Sequence, residues 1–457
     1  MNSSKPDNAS FATRDLAHVW HPCTQMKDHE QELPMIPIRL GEGVWLEDYA
    51  GKRYLDAISS WWVNLFGHSN PRINAAIARQ LGRLEHVILA GFTHEPVIAL
   101  SEALAALTPA GLTRCFYADN GSSAVEVALK MSFHYWRNVG RPQKRRFITL
   151  SNSYHGETLG ALALGDVELY KSTYKPLLLD VITVPSPDGY EREAGESPAD
   201  YAHRKFALME ETLARHAHDA AAVIVEPLVQ CAGGMRMYDP LYLKLLREAC
   251  DRHQVHLIAD EIAVGCGRTG SFFACEQAGI WPDFLCLSKG ISGGYLPLAL
   301  VMTRDAIYEG FVDDDVARSF LHSHSYTGNA LACRAALATL DLFEREDALS
   351  RNRDRASRLL QRLSEGLAGM PVDHLRQRGM ITAFDVREPG ARVAERFHLA
   401  ARANGLLMRP IGATVYLMPP YAISDEEIDL LVDGTLATLE AIAAPSHAEG
   451  GRDVALA

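Results

Sequence analysis

His256-Leu-Ile-Ala-Asp260-Glu261 and, after a glycine-rich stretch, Phe284-Leu-Cys-Leu-Ser288-Lys289-Gly290 are the segments from which the fold is read. Each is a short apolar run that ends in charge, the composition of a strand buried on both faces of a mostly parallel sheet. Five further runs are likewise short and mostly apolar: 115–118, 146–150, 181–185, 221–227 and 298–303. Between them, 122–137, 201–216 and 239–253 space their apolar residues by three and four, as Leu241, Leu245 and Ala249 illustrate, which predicts helices. The alternation means an α/β fold, and such sheets take ligands outside the carboxyl ends of their strands.

Outside this core the pattern changes. Strand signals at 44–48, 53–56, 380–386 and 414–418 stand among long charged helical stretches. Residues 1–108 are expected to contribute to a small domain and to the active site, 109–328 to form the large domain, 329–443 to complete the small one, and 444–457 to be a flexible tail. The segment 186–199 is rich in Pro, Gly, Ser and Glu and reads as an exposed loop.

The chain has 457 residues, 47% hydrophobic and 22% charged, which is an ordinary globular composition. Its 45 Lys plus Arg against 57 Asp plus Glu leave a net charge of −12. That field repels phosphate backbones and anionic lipid, so neither nucleic acid nor a membrane is an expected partner. No apolar run approaches the roughly 20 residues that span a bilayer, and residues 1–10 lack the apolar core of a secretory signal. Eight scattered cysteines without a Cys-x-x-Cys pair read as reduced core thiols of a cytoplasmic protein.

Three places can carry chemistry. Asp119-Asn120-Gly121-Ser122-Ser123 joins a strand to a helix, where free amides and the helix dipole favour an anion. Alone it reads rather as a helix cap, a position that Asn and Ser favour anyway. Asp260 ends an apolar strand, and a carboxylate there suffers desolvation unless a cationic partner meets it. Lys289 ends the next strand before Gly290, Gly293 and Gly294, which suits a Schiff base formed by a desolvated amine, although a snorkelling surface lysine has the same sequence.

Other matches are weaker. Gly265-Cys-Gly267-Arg-Thr-Gly270 has the letters of a dinucleotide loop but does not join a strand directly to a helix. Gly290-Ile-Ser292-Gly-Gly294 has those of a hydrolase elbow but is followed by a poor helix start. His322-Ser-His324 lacks a third ligand at a recognisable spacing, so no metal is expected.

Taken together, the Gly121 helix start, the Tyr154-His155 pair, Asp260 and Lys289, in that order, resemble the pyridoxal-phosphate transaminases of fold type I, specifically class III. The resemblance covers nearly the whole chain. Within 257–289, Ala-Asp-Glu-Ile, Gly-x-Gly-Arg-Thr-Gly and Pro-Asp-Phe-Leu-Cys-Leu-Ser-Lys are similar to the class signature, which accounts for the glycine pattern. Trp20-His-Pro, Ser59-Ser-Trp61-Trp62, Gly233-Gly-Met-Arg-Met-Tyr238, Arg409-Pro and Tyr416-Leu-Met-Pro-Pro-Tyr421 look like the branch that aminates 8-amino-7-oxononanoate to 7,8-diaminononanoate in biotin synthesis. Ala263 also fits that branch, since many other members carry Gln near this place.

The resemblance implies a large domain with a mostly parallel sheet, a smaller α+β domain, and a homodimer with shared active sites. It implies pyridoxal 5′-phosphate as cofactor, with Lys289 holding it and moving protons, Asp260 pairing with its ring nitrogen, and Gly121 and Ser122 holding its phosphate. His324 and Ser325 would reach in from the partner subunit. Tyr154 would cover the ring and touch substrate. Trp61 and Trp62 would wall the aliphatic chain, Arg409 would bind a carboxylate, and Cys23 and Ser323 would meet substrate. Glu157 could orient an amine or merely close a loop-to-helix junction. S-adenosylmethionine is the expected amino donor, with lysine, or an ω-amino acid or diamine reaction, as rivals. Two departures stand out: Cys23 replaces a frequent Tyr that contacts the keto substrate, and Ser323-His324-Ser325 replaces Gly-Pro-Thr.

Overall fold

The computed structural model of the protein describes residues 7–108 and 111–443. The expected tail at 444–457 lies outside the described residues, as do 109 and 110 at the expected boundary.

A seven-stranded sheet forms the centre, in the spatial order Arg114–Ala118, Ala299–Thr303, Phe284–Leu287, His256–Asp260, Ala220–Val225, Arg146–Leu150, Ile182–Val184. Six strands run the same way. Ala299–Thr303 alone is antiparallel to both of its neighbours. Successive residues of one strand serve opposite sides of the sheet: Leu257 and Ala259 belong to one apolar core and Ile258 to the other. Burial on both sides explains why these strands are apolar throughout rather than alternating.

The helix Gly121–Asn138 buries Ala124, Val125, Val127, Ala128 and Met131 in the second core, while Asn120 caps it by accepting from Ser123 N. The pairing Ile258↔Phe284, Asp260↔Cys286 sets the carboxyl ends of the two central strands level with each other. Asp260 and Lys289 therefore emerge at the same edge.

The smaller sheets draw on distant parts of the chain. Ile38–Glu42, Trp45–Asp48 and Arg53–Asp56 form a meander that Leu406–Leu407 joins in parallel, Leu406 opposite Leu55. Val372–Arg378, Ile381–Val386 and Thr414–Leu417 form an antiparallel sheet. Two of these strands, Ile38–Glu42 and Val372–Arg378, carry no sequence signal because they are polar edge strands with little wholly buried surface.

The segment 186–199 departs from the exposed loop expected of it at its start. Ser186 and Asp188 are buried, and Ser186 Oγ donates to Gln230 Oε1 at 2.7 Å. The glycine-rich 265–270 stretch is a series of turns that opens no helix, and its Arg268 is fully buried. Lys289–Ser292 is one short 3-10 turn. Among the described residues no helix is long and apolar enough to cross a membrane.

Candidate active site

Five strands of the central sheet end at one cavity of about 340 Å³. Past Ala118 comes Asn120, past Leu150 Tyr154, past Val225 Glu226, past Leu287 Lys289, and Asp260 is itself the last residue of its strand. Cys23, Trp61, Trp62, Gly121, Ser122 and Glu157 complete much of the wall. A smaller adjoining space of about 260 Å³ extends to Tyr170 and Ala232.

Lys289 sits in the left-handed region at φ 47°, with Nζ 4.6 Å from the centroid of the Trp62 ring. Burial pushes its ammonium below the ordinary lysine range, against the opposing pull of Cys231, Asp260 and Glu226. A larger share of neutral amine, able to attack a carbonyl, follows.

Asp260 Oδ2 meets His155 Nδ1 at 2.7 Å, and Oδ1 accepts from Ile262 N at 3.2 Å. Both side chains are buried. The partner that desolvation requires is thus an imidazole whose Nε2 is buried without a hydrogen-bond partner among the described residues.

At the helix start, Asn120 caps Ser123 and leaves the amides of Gly121 and Ser122 on the cavity wall. Ser122 Oγ accepts from Glu157 N at 3.0 Å and Thr158 N at 3.2 Å, so its hydroxyl proton is what it can offer an anion. Gly156, at φ +117°, lies so close that a Cβ would come within 2.2 Å of that oxygen.

The tryptophans arrive on an unusual turn. Ser59, Ser60, Trp61 and Trp62 have φ of 51°, 47°, 71° and 73°, four consecutive left-handed residues without a glycine. Trp62 is buried and donates from Nε1 to the Tyr416 hydroxyl at 3.1 Å; Trp61 is exposed at the mouth. There the Arg409 guanidinium lies 5.2 Å from the Trp61 ring centroid and donates to Cys23 O and, at 3.2 Å, to Thr24 Oγ1. Cys23 is exposed, a departure from the core thiol expected of it, whereas Cys115 is half-buried and the other six cysteines are buried.

Tyr154 lines both spaces, and its hydroxyl donates to Glu157 Oε1 at 3.0 Å. Ser323, His324 and Ser325 do not reach this cavity within their own chain: both serines are exposed, and His324 Nδ1 stands 3.9 Å from Asp119 Oδ2.

Glu226 and Tyr170 are not singled out by sequence, and His155 stands out only as half of the Tyr154-His155 pair, with no role of its own. Glu226 is buried and accepts from Tyr154 N and Cys231 N, each at 3.0 Å; burial nonetheless pushes its carboxyl up to about 7. The signal was available, since Glu226 follows a wholly apolar strand just as Asp260 ends one.

The profile of the class III aminotransferases matches residues 26–439. The chain belongs to that family. A class III aminotransferase is a pyridoxal-phosphate enzyme, and the donor set fits that cofactor: an amine of lowered basicity, a carboxylate for a ring nitrogen, and a helix start that Gly156 and Ser122 shape for a phosphate. Among relatives of this aminotransferase, the adenosylmethionine-8-amino-7-oxononanoate aminotransferase of Helicobacter pylori is 48% identical over 442 residues, 94% of this chain and 98% of its own. The crystal structure of the enzyme of that name from Methanocaldococcus jannaschii superposes with a TM-score of 0.89 at 34% identity, covering 95% of this chain and 99% of that one. The ω-transaminase of Pseudomonas jessenii in complex with PMP gives 0.90 at 28% identity, over 95% and 98%.

Proposed function

We propose that this aminotransferase converts 8-amino-7-oxononanoate to 7,8-diaminononanoate, in biotin synthesis, with S-adenosylmethionine as amino donor. The observation that carries the reading is the Trp61-Trp62 wall facing Lys289, with the Arg409 fork at its mouth, in a chain 48% identical to a relative of that name. Flat apolar faces suit a long aliphatic chain and also a sulfonium, while a planar guanidinium suits a carboxylate.

When bound, pyridoxal phosphate supplies a carbonyl that condenses with amines and a ring that accepts electrons from the bond broken beside the nitrogen. Lys289 would hold the cofactor and, once released from it, its Nζ would carry a proton between the two carbons on either side of the transferred nitrogen. Asp260, oriented by His155, would pair with the ring nitrogen and keep it protonated. Gly121 and Ser122 hold the phosphate. Tyr154, its hydroxyl tied to Glu157, would cover a ring face, and Trp62 would shield the Lys289 amine from water. Cys23 would meet substrate in its own chain's cavity, and Ser323, which does not reach that cavity, would meet the substrate of the partner subunit.

We further read 109–328 as the cofactor-binding domain, with 1–108 and 329–443 forming the second. A homodimer, in which His324 and Ser325 serve the partner's phosphate site, is supported by a surface that carries exposed Ile88, Phe92, Leu321 and Tyr326. That surface is joined by the bond from Asn329 Nδ2 to Glu85 O. Unpaired thiols throughout suit the cytoplasm.

The test follows the visible absorption of the purified holoenzyme as S-adenosylmethionine, then lysine, is added, and then 8-amino-7-oxononanoate. Conversion by S-adenosylmethionine and restoration by the oxononanoate is the expected result. Conversion by lysine alone changes the donor, and failure of both donors reopens the substrate assignment.

A further inference from the structure

Four left-handed residues in a row are costly, at roughly 1–2 kcal/mol each for residues with a Cβ. Neither Ser nor Trp favours that region, so the turn at Ser59–Trp62 must be held from outside. Asp56, the last residue of its strand and fully buried, has both oxygens on it. Oδ1 accepts from Ser60 N at 2.8 Å, and Oδ2 from Ser60 Oγ at 2.7 Å and His68 Nε2 at 3.0 Å. His68 Nδ1 in turn lies 3.1 Å from Asn64 Nδ2. Because that amide can only donate, the network assigns the imidazole proton to Nε2, pointing at the carboxylate. The chain from Asn64 through His68 to Asp56 thus closes a loop around the turn.

Two other parts of the site lean on the same segment. Arg268 Nη2 donates to Trp62 O at 3.2 Å and Asn64 O at 3.0 Å. Gly294, a few residues past Lys289, packs so closely that a Cβ there would stand 2.9 Å from Asn64 N. A shift of the turn therefore changes where the Trp62 face lies relative to the lysine.

We infer that Asp56 and His68 are positioning residues that set the site's preference for a long apolar substrate by holding Trp61 and Trp62 in a left-handed turn. Neither lines the cavity; both act through the tryptophans. The inference rests on the reading that this wall takes the aliphatic chain of the oxononanoate.

The experiment compares wild-type holoenzyme with Asp56→Asn, His68→Ala and His68→Gln. The readouts are near-ultraviolet circular dichroism of the tryptophans, thermal midpoint, and KM and kcat for 8-amino-7-oxononanoate. Asp56→Asn and His68→Ala are expected to alter the near-ultraviolet signal and raise KM about tenfold, the scale of a lost charge-assisted hydrogen bond. In both, kcat should stay within about twofold. His68→Gln, whose amide can still donate to Asp56, should return KM most of the way. If Asp56→Asn does not fold, Ser60→Ala removes one of the three bonds and should raise KM about threefold. An unchanged near-ultraviolet signal with unchanged KM overturns the inference. So does a loss of activity that follows the folded fraction at constant KM. Should the wild type not turn over the oxononanoate, the substrate reading fails, and the near-ultraviolet comparison still decides whether Asp56 holds the turn.

Discussion

His155 Nδ1 stands 2.7 Å from Asp260 Oδ2, with both side chains closed off from solvent. The imidazole is the carboxylate's side-chain partner, so His155→Ala leaves a buried Asp260 to its single amide contact. Leaving a buried carboxylate short of a hydrogen-bond partner costs about 1–3 kcal/mol, and an Asp260 no longer held by the imidazole loses its orientation toward a ring nitrogen. A fall in kcat of at least roughly a hundredfold is expected, with a thermal midpoint several degrees lower. Steady-state kinetics and a melting curve check both.

Gly156→Ala tests the helix start. Its Cβ would stand 2.2 Å from Ser122 Oγ in a backbone at φ +117°, so the loop carrying Tyr154 and Glu157 must move away from Gly121 and Ser122. Cofactor affinity is expected to weaken by about tenfold or more, equivalent to about 1.4 kcal/mol, as read by titrating the apoprotein with pyridoxal phosphate.

Glu226 predicts a pH dependence. Burial raises its carboxyl from an ordinary 4.5 to about 7, so between those values the folded protein holds a proton that the unfolded chain has released. Stability contributed by that proton is full below pH 4.5 and is lost as pH rises through about 7. Glu261, also raised to about 7 by burial, adds in the same direction. Chemical denaturation of the apoprotein should show a decline of a few kcal/mol from pH 5 to pH 8, by roughly 1.4 kcal/mol per pKa unit. Glu226→Gln should flatten the slope by about half.

Arg409→Lys keeps the charge and removes the fork. Because Nη2 is already held by Cys23 O and Thr24 Oγ1, the guanidinium is oriented before substrate arrives, which a flexible ammonium cannot reproduce. KM for carboxylate-bearing substrates should rise about tenfold with kcat little changed, as measured in separate donor and acceptor titrations.

Asp260 and Lys289 were legible because a charge at the end of a doubly buried strand is conspicuous against its apolar neighbours. The central sheet was legible for the same reason. Glu226 carries that signal too, but Pro227 and the apolar residues after it make the run read as continuing past the carboxylate. The handedness of the turn at Ser59–Trp62 could not be read, since it opposes the preference of every residue in it and is imposed by Asp56, by His68 and by Arg268, about 200 positions away. Polar edge strands such as Val372–Arg378 escaped because hydrogen bonding to a neighbour, rather than composition, makes them strands.

The parallel pairing of Leu406 with Leu55 has a consequence for the order in which the molecule is made. The strand that carries Asp56 gains its last neighbour only after about 350 further residues have been synthesised. At the pace of translation, about 5–20 residues per second, the ribosome needs roughly 20–70 s to deliver it. Throughout that interval the nascent tryptophan turn stands beside an open sheet edge, where chaperones can engage it, and the wall of the active site is among the last parts of the molecule to set.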